Sequence, residues 1–312
     1  MKMSAIDASS PQTLAPRDAA IAHPIPRRQL RRKYYHRWVA LFAVMLICAG
    51  YLLPFVWMLS TSLKRVDQTM TNPPQLIPHP IVPGNFWKVI TSERADFPLY
   101  TRNTLIIAAL TVLGTTLSSA IVAYGFARIR FRGRGFLFAL MLSTMMIPFP
   151  VMMLPLFIVF RFIGDHTPLQ MLGTFKPLWL PAWFGSAFSI FLLRQFFLTI
   201  PEDIGEAARI DGCSEWGIFW RVMLPLSRPA LSVVALFSFM WAWNNFLGPL
   251  LFLQRPEQYT LALGLQAFQS AQGGTDWNLL MAASMLVMLP VLILFFLAQK
   301  TFIQGIATTG LK

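Results

Sequence analysis

The chain has 312 residues, 55% of them hydrophobic and only 12% charged, with a mean hydropathy of +0.55 and a formal net charge of +13. A soluble domain carries roughly 25% charged residues, and half that content leaves too little polar surface to cover a core of this size. A soluble globular protein is therefore excluded, and the composition is that of a membrane protein.

Residues 1–36 read as a disordered, basic tail that ends in RRQLRRKYYHR (27–37). That cluster sits directly before an apolar run, so anionic lipid headgroups are its nearer partner and nucleic acid is not expected. Six blocks without a single Asp, Glu, Lys or Arg follow, at 38–63, 103–127, 135–160, 177–193, 229–254 and 277–299. About 20 residues of helix cross a bilayer core, and runs this long and uniformly apolar are helices rather than barrel strands. The expected fold is all-α, with six transmembrane helices. The first block is too long for a signal-peptide core and is read as a permanent span.

Between the first two blocks, NPPQLIPHPIVPGNFWKVI holds five prolines that forbid a regular helix until about Asn85. Beyond them NFWKVI can form a short interfacial helix. The third block contains Pro148, Pro150 and Pro155, so its helix bends or breaks, either as a kink satisfied by neighbours or as the lining of a solute path. The fifth holds Asn244 and Asn245, which either hydrogen-bond across helices or meet a polar solute. Pro148, Pro150, Asn244 and Asn245 are the candidate translocation-path residues.

The cysteines, Cys48 and Cys213, and four scattered histidines offer no metal-ligand spacing. There is no phosphate-binding G-x-x-x-x-G-K-[ST] loop, and no ionisable group inside any block to couple transport to protons or ions. Eighteen of the 26 Lys and Arg fall in the two tails and in the 128–134 and 194–228 loops. Both termini and those loops are therefore expected on the cytoplasmic side.

The cytoplasmic loop 195–227 carries the densest mixed charge of the chain, with Glu202, Asp203, Glu206, Arg209, Asp211, Glu215 and Arg221. Thr199 and Glu202 have capping-box spacing, Pro201 suits a first turn, and Gly212 can end a helix in a left-handed cap. A short helix over about 202–211 is expected, with Ile204, Ala207, Ala208 and Ile210 as its apolar face. It can be an interfacial helix or a docking element for a cytoplasmic protein.

This stretch resembles the loop E-A-A-x-x-x-G-x9-I-x-L-P of binding-protein-dependent ABC importer permeases. Glu206, Ala207, Ala208 and Gly212 match, with Arg209 and Asp211 between them; Val222 stands in place of Ile, and Leu224 and Pro225 close the pattern. From about residue 37 the chain is similar to the second permease of carbohydrate importers, the MalG type, with the MetI-like fold. NTLIIA, AYGFAR, WNNFLGPL, DWNLLMAA and the terminal QGIATTGLK carry that likeness.

The resemblance implies a permease domain over 37–312 and a coupling helix at about 202–212 docked in a cytoplasmic ABC ATPase dimer, with Glu206 paired to a basic group there. It also implies a second homologous permease and an extracytoplasmic solute-binding protein that meets loops 64–102 and 253–278. ATP and Mg would be bound by the ATPase, with no cofactor on this chain, which is then a transporter subunit and not an enzyme. The location implied is the bacterial inner membrane. Sugar is the implied solute; glycerol-3-phosphate or another polar solute is the alternative, and an ATP-independent carrier a more distant one.

Overall fold

A computed structural model describes residues 27–269 and 274–309, with side chains over 37–269 and 274–299. The chain divides into two compact units, 1–55 and 56–312. The expected disordered tail lies outside the described residues up to Pro26. From Arg27, however, the chain is helical, and α1 runs from Arg27 to Ser62. The correction has a simple cause: after Pro26 nothing breaks a helix before Pro54, and Arg, Gln, Leu and Lys are good helix formers. In the first unit the apolar side chains from Trp38 to Phe55 are largely exposed.

In the second unit, a buried amide fixes the chain after α1. Asn85 Nδ2 donates to the carbonyls of Ser62 and Lys64, both at 2.8 Å. It belongs to α2 (Gly84–Ile90), which starts where the proline run ends. Helix α3 (Phe97–Arg128) opens with Asp96 accepting from Leu99 N at 3.0 Å and has Pro98 in its first turn. Its small buried residues, including Gly114, Ser119, Ala120, Ala123 and Ala127, let α7 (Ala187–Thr199) and α11 (Arg228–Trp243) come close, and these are its main partners.

The third expected block is not one helix. Helix α4 (Arg134–Ser143) and one tight turn reach Met146; Ile147 and Pro148 are extended, and α5 (Phe149–His166) starts afresh. Pro148 pushes Ile147 out of the helical region, and Pro150 then fits the first turn of α5. Block four is also divided. Helix α6 (Lys176–Trp179) and a short 3₁₀ turn stop at Gly185, whose φ of 90° ends the turn before α7 begins.

Past α7 come α8 (Glu202–Ile210), α9 (Glu215–Ile218), a π turn over Phe219–Met223 and α10 (Leu224–Leu226). The 215–226 stretch meets α11 at 80°, and we treat it as part of the loop rather than of the span. Block five breaks at Asn244–Phe246 before α12 (Leu247–Phe252). Helix α13 (Leu261–Gly264) and α14 (Trp277–Thr309) complete the described chain. By length and composition five helices can cross a membrane, or six if the bent pair is one span.

Besides a small cluster of Phe160, Met171 and Phe252, two larger cores hold this unit. One gathers Ala123, Tyr124, Leu193, Phe197, Phe219 and Met223 beneath α8–α10. The other gathers Val89, Tyr100, Trp243, Leu261 and Leu280 around α2, α13 and α14. In the second, Gly264 has no room for a side chain, since a Cβ there would lie 2.3 Å from Cδ2 of Tyr100. Gly125, in the last turn of α3, has nothing within 4 Å of the same position. Gly264→Ala should therefore destabilise the detergent-solubilised chain by about 1–3 kcal/mol. Gly125→Ala should leave it unchanged or stabilise it by up to about 1 kcal/mol. Thermal unfolding of the two variants checks the contrast, and shifts of the same sign and size would contradict this packing.

Candidate coupling site and solute cavity

The charged patch folds into a short amphipathic helix and a hook. The expected capping box does not form. Thr199 is the last residue of α7 and gives its hydroxyl to Phe196 O at 2.7 Å, and the N-cap of α8 is Pro201, without a side-chain bond. Extended backbone at Ile200 and Pro201 separates the two helices and carries Thr199 away from Glu202.

The other end follows the sequence closely. Gly212 has φ 79°; its N–H donates to Arg209 O at 3.0 Å and that of Cys213 to Ala208 O at 2.9 Å. This is the paired closure of a glycine-terminated helix. Ala208 and Cys213, the residues that meet across it, both pack on the core beneath. The expected apolar face is divided: Ala208 turns inward, whereas Ile204, Ala207 and Ile210 are exposed, Ile210 to 87%. Val222 and Leu224 of the hook pack on the same core, and Pro225 is exposed.

Four polar side chains tie this element to α3. Arg209 Nε donates to Glu215 Oε1 at 2.7 Å, and the Tyr124 hydroxyl donates to Glu215 Oε2 at 2.6 Å. Arg128, at the end of α3, donates to Phe197 O at 2.6 Å and to Ile200 O, which anchors the end of α7 beside the start of α8. A cleft of about 410 Å³ lies among these groups, with Glu206 at its edge. Glu206 and Asp211 are exposed and form no ion pair among the described residues. Tyr124, Arg128 and Glu215 were not singled out from sequence as a unit; only the charge of Glu215 and the AYGFAR stretch pointed to them.

The path residues are separated. Asn244 is exposed and returns its Nδ2 to Met240 O at 2.8 Å, so it finishes α11. Asn245 Oδ1 accepts from Gly248 N at 3.0 Å, so it starts α12. Neither makes a hydrogen bond to a separate helix among the described residues; an amide at a helix break meets the orphaned peptide groups first. Asn245 lines a cavity of about 640 Å³ bounded by α3, α5, α7, α11 and α12. Pro148 and Pro150 are exposed and off its lining, while Phe149 between them is on it. The cavity also holds Trp241, which the sequence analysis did not single out. Among the described residues, no group of His, Cys, Asp or Glu is placed to hold a metal ion.

The hydrogen bond from Arg209, and after it that from Tyr124, holds the Glu215 carboxyl below the ordinary value of 4.5. A depressed carboxyl pKa adds stability above that ordinary value and loses it as pH falls through the folded value. Wild-type thermal stability should therefore fall as the pH drops below about 4.5, partly through this group. Glu215→Gln should be less stable at pH 7, by on the order of 1 kcal/mol after solvent screening, and should show a shallower acid decline. Parallel pH profiles in the two proteins would remove the ion pair from the account.

The family described as binding-protein-dependent transport system inner membrane component matches residues 114–308. The arabinooligosaccharides transport system permease protein AraQ of Halalkalibacterium halodurans is 33% identical over 277 residues, 88% of this chain and 96% of that protein. The trehalose/maltose transport system permease protein MalG of Thermococcus litoralis is 33% identical over 285 residues, 91% and 99% of the two chains. A crystal structure of a bacterial ABC transporter involved in the import of the acidic polysaccharide alginate has a chain that superposes with a TM-score of 0.71 at 24% identity. The superposition covers 86% of this chain and 96% of that one, and at that identity the likeness speaks for the fold alone. The chain belongs to the family of inner membrane components of binding-protein-dependent transport systems, as a permease subunit and not an enzyme.

Proposed function

We propose that this chain is one of two permeases of an ATP-driven sugar importer of the bacterial inner membrane, and that α8 is its coupling helix. The observation that carries this is the outer face of α8. It presents Asp203, Glu206, Ala207 and Ile210 to solvent, while the inner face is held by Ala208, by Cys213 and by the Arg209–Glu215–Tyr124 hydrogen bonds. An exposed apolar side chain flanked by acids, on a helix fixed from behind, suits insertion into a cleft with basic edges.

ATP and Mg are bound by the partner ATPase dimer in this reading. ATP-driven closure of the dimer displaces α8. Because Glu215 joins α8 to Tyr124, the displacement is passed to α3, and the bundle opens alternately to the two sides. An extracytoplasmic binding protein delivers the solute to loops 64–102 and 253–278, of which residues 270–273 lie outside the described part. Both termini and α8 are cytoplasmic, in accord with the distribution of Lys and Arg. Sugar is favoured over glycerol-3-phosphate because no Lys or Arg lines the larger cavity, and a phosphate would require one.

Glu206→Arg and Ile210→Asp should each lower substrate-dependent uptake at least tenfold while leaving membrane levels of the chain intact. Affinity purification from mild detergent should recover the ATPase with wild type and much less of it with either variant. Full uptake and undiminished ATPase recovery in both variants would exclude α8 as the coupling helix.

A further inference from the structure

The cavity beside Asn245 is lined by hydroxyls that do not make the usual bond to their own helix. Hydroxyls on apolar helices ordinarily return to a carbonyl one turn earlier, because lipid offers no other acceptor. Thr101, Thr104 and Ser118 of α3 do so, at 2.8, 2.8 and 2.6 Å, and so does Ser232 of α11, at 2.9 Å. On the same two helices and on α7, the hydroxyl residues that line the cavity do not. Thr111, Thr115, Ser189 and Ser238 are 4, 6, 4 and 7% exposed. None of them has a hydrogen bond among the described residues, and Thr111 Oγ1 is a buried orphan. An unmade hydrogen bond on a buried polar group costs about 1–3 kcal/mol, a cost that falls on Thr111, and the other three hydroxyls lie around the same space, so one polar solute there can bond all four.

Aromatic surface and one amide complete the wall. Trp241 is 61% exposed, with Phe149 set edge-on to it at 6.1 Å, and Phe188 and Phe237 pair at 5.8 Å. Asn245 spends its Oδ1 on Gly248 N and has no acceptor for its Nδ2 among the described residues. No residue of the lining is charged. The volume of about 640 Å³ is within the usual range of about 300–1,000 Å³ for small-molecule sites.

We infer that this subunit itself carries a saccharide subsite. The Trp241 ring receives the apolar face of a sugar, and Thr111, Thr115, Ser189, Ser238 and the Asn245 amide bond its hydroxyls. The inference rests on the sugar-importer reading and deepens it in two respects. It assigns solute contact to this permease and not only to its companion. It also restricts the solute to a neutral saccharide, since the wall has no cation for a uronate or a phosphate. Proton coupling has no titratable group in the lining to act through.

The test uses the complete transporter, purified with its companion subunits and placed in nanodiscs, beside uptake by the native cells. The probes are radiolabelled maltose, trehalose and arabinotriose, with an alginate trisaccharide as the anionic comparison. Wild type should bind at least one neutral probe and not the anionic one. Thr111→Val and Ser189→Ala should each weaken binding about five- to tenfold, and Trp241→Ala more than tenfold. Thr111→Ser and Trp241→Phe should restore most of it. Thr116→Val should bind as wild type; Thr116 is likewise without a partner but lies off the cavity. If wild-type cells take up a neutral sugar and the Val, Ala and Trp241 variants all bind it normally, the subsite is overturned while the importer reading survives. If wild type handles none of the neutral probes, the sugar reading fails and the subsite with it. Preferential binding of the anionic probe would overturn the charge argument.

Discussion

Hydrocarbon gives a peptide group nothing to bond to, so a chain inside it either remains helical or replaces each lost bond from its own side chains. Three of the apolar blocks in this protein are interrupted, at Ile147–Pro148, at Gly185 and at Asn244–Phe246, and each interruption is supplied locally. Asn244 and Asn245 bond to Met240 O and Gly248 N. The Ser119 hydroxyl accepts from Ser186 N at 3.1 Å, and that of Ser118 reaches Ala182 O at 3.2 Å. At Pro148 the missing N–H removes one donor from the demand. Each break has a residue in it or next to it on the same cavity: Phe149, Gly185 and Asn245. Irregular backbone at membrane depth is tolerated where it lines a polar space, and here the breaks and the space coincide.

The same constraint makes α3 the member that connects the two sites. It is unbroken from Phe97 to Arg128, and its small residues bring α7 and α11 against it. Thr111 and Thr115 face the cavity near its middle, and Tyr124 and Arg128 meet the charged element of α8 and α9 at its end. Thirteen residues of helix separate Thr111 from Tyr124, about 20 Å at 1.5 Å per residue. A helix of that length moves as a rod when one end is pulled. Glu215 joins the two elements, since its two oxygens hold Arg209 of α8 and Tyr124 of α3 at once.

Much of this was legible in the sequence, for definite reasons. Apolar block length and the absence of charge locate helices that must cross a bilayer, and Gly212 announced its own left-handed conformation. The breaks were only partly legible. Three prolines marked the third block, but the division at Gly185 carried no comparable signal, and Asn244 and Asn245 resembled interhelical amides until the break they cap was seen. The Thr199 box failed because two extended residues intervene, which spacing alone does not reveal. Tyr124 and Glu215 are 91 residues apart, so only the packing of α3 against the hook could bring them together. The open hydroxyls were likewise invisible, because a sequence does not say which threonines have returned their bonds to the helix.

The distribution of charge then separates the work of the two sites. The cavity wall is neutral and hydroxyl-rich, so it can hold a polar solute but offers neither a proton carrier nor an ion pair to be made and broken. A site of this kind has no internal means of choosing the side to which it opens, because a ligand shifts a conformational equilibrium only by its differential affinity for the two states. The bias has to enter from outside the cavity, through an element that is exposed to a partner and joined to the cavity wall. Among the described residues α8 has both properties: its outer face is free, and its inner end is bound through Glu215 to the helix that carries Thr111 and Thr115. Under the proposed coupling role, the dense charge between two apolar blocks falls in a part of the chain that is not required to be apolar.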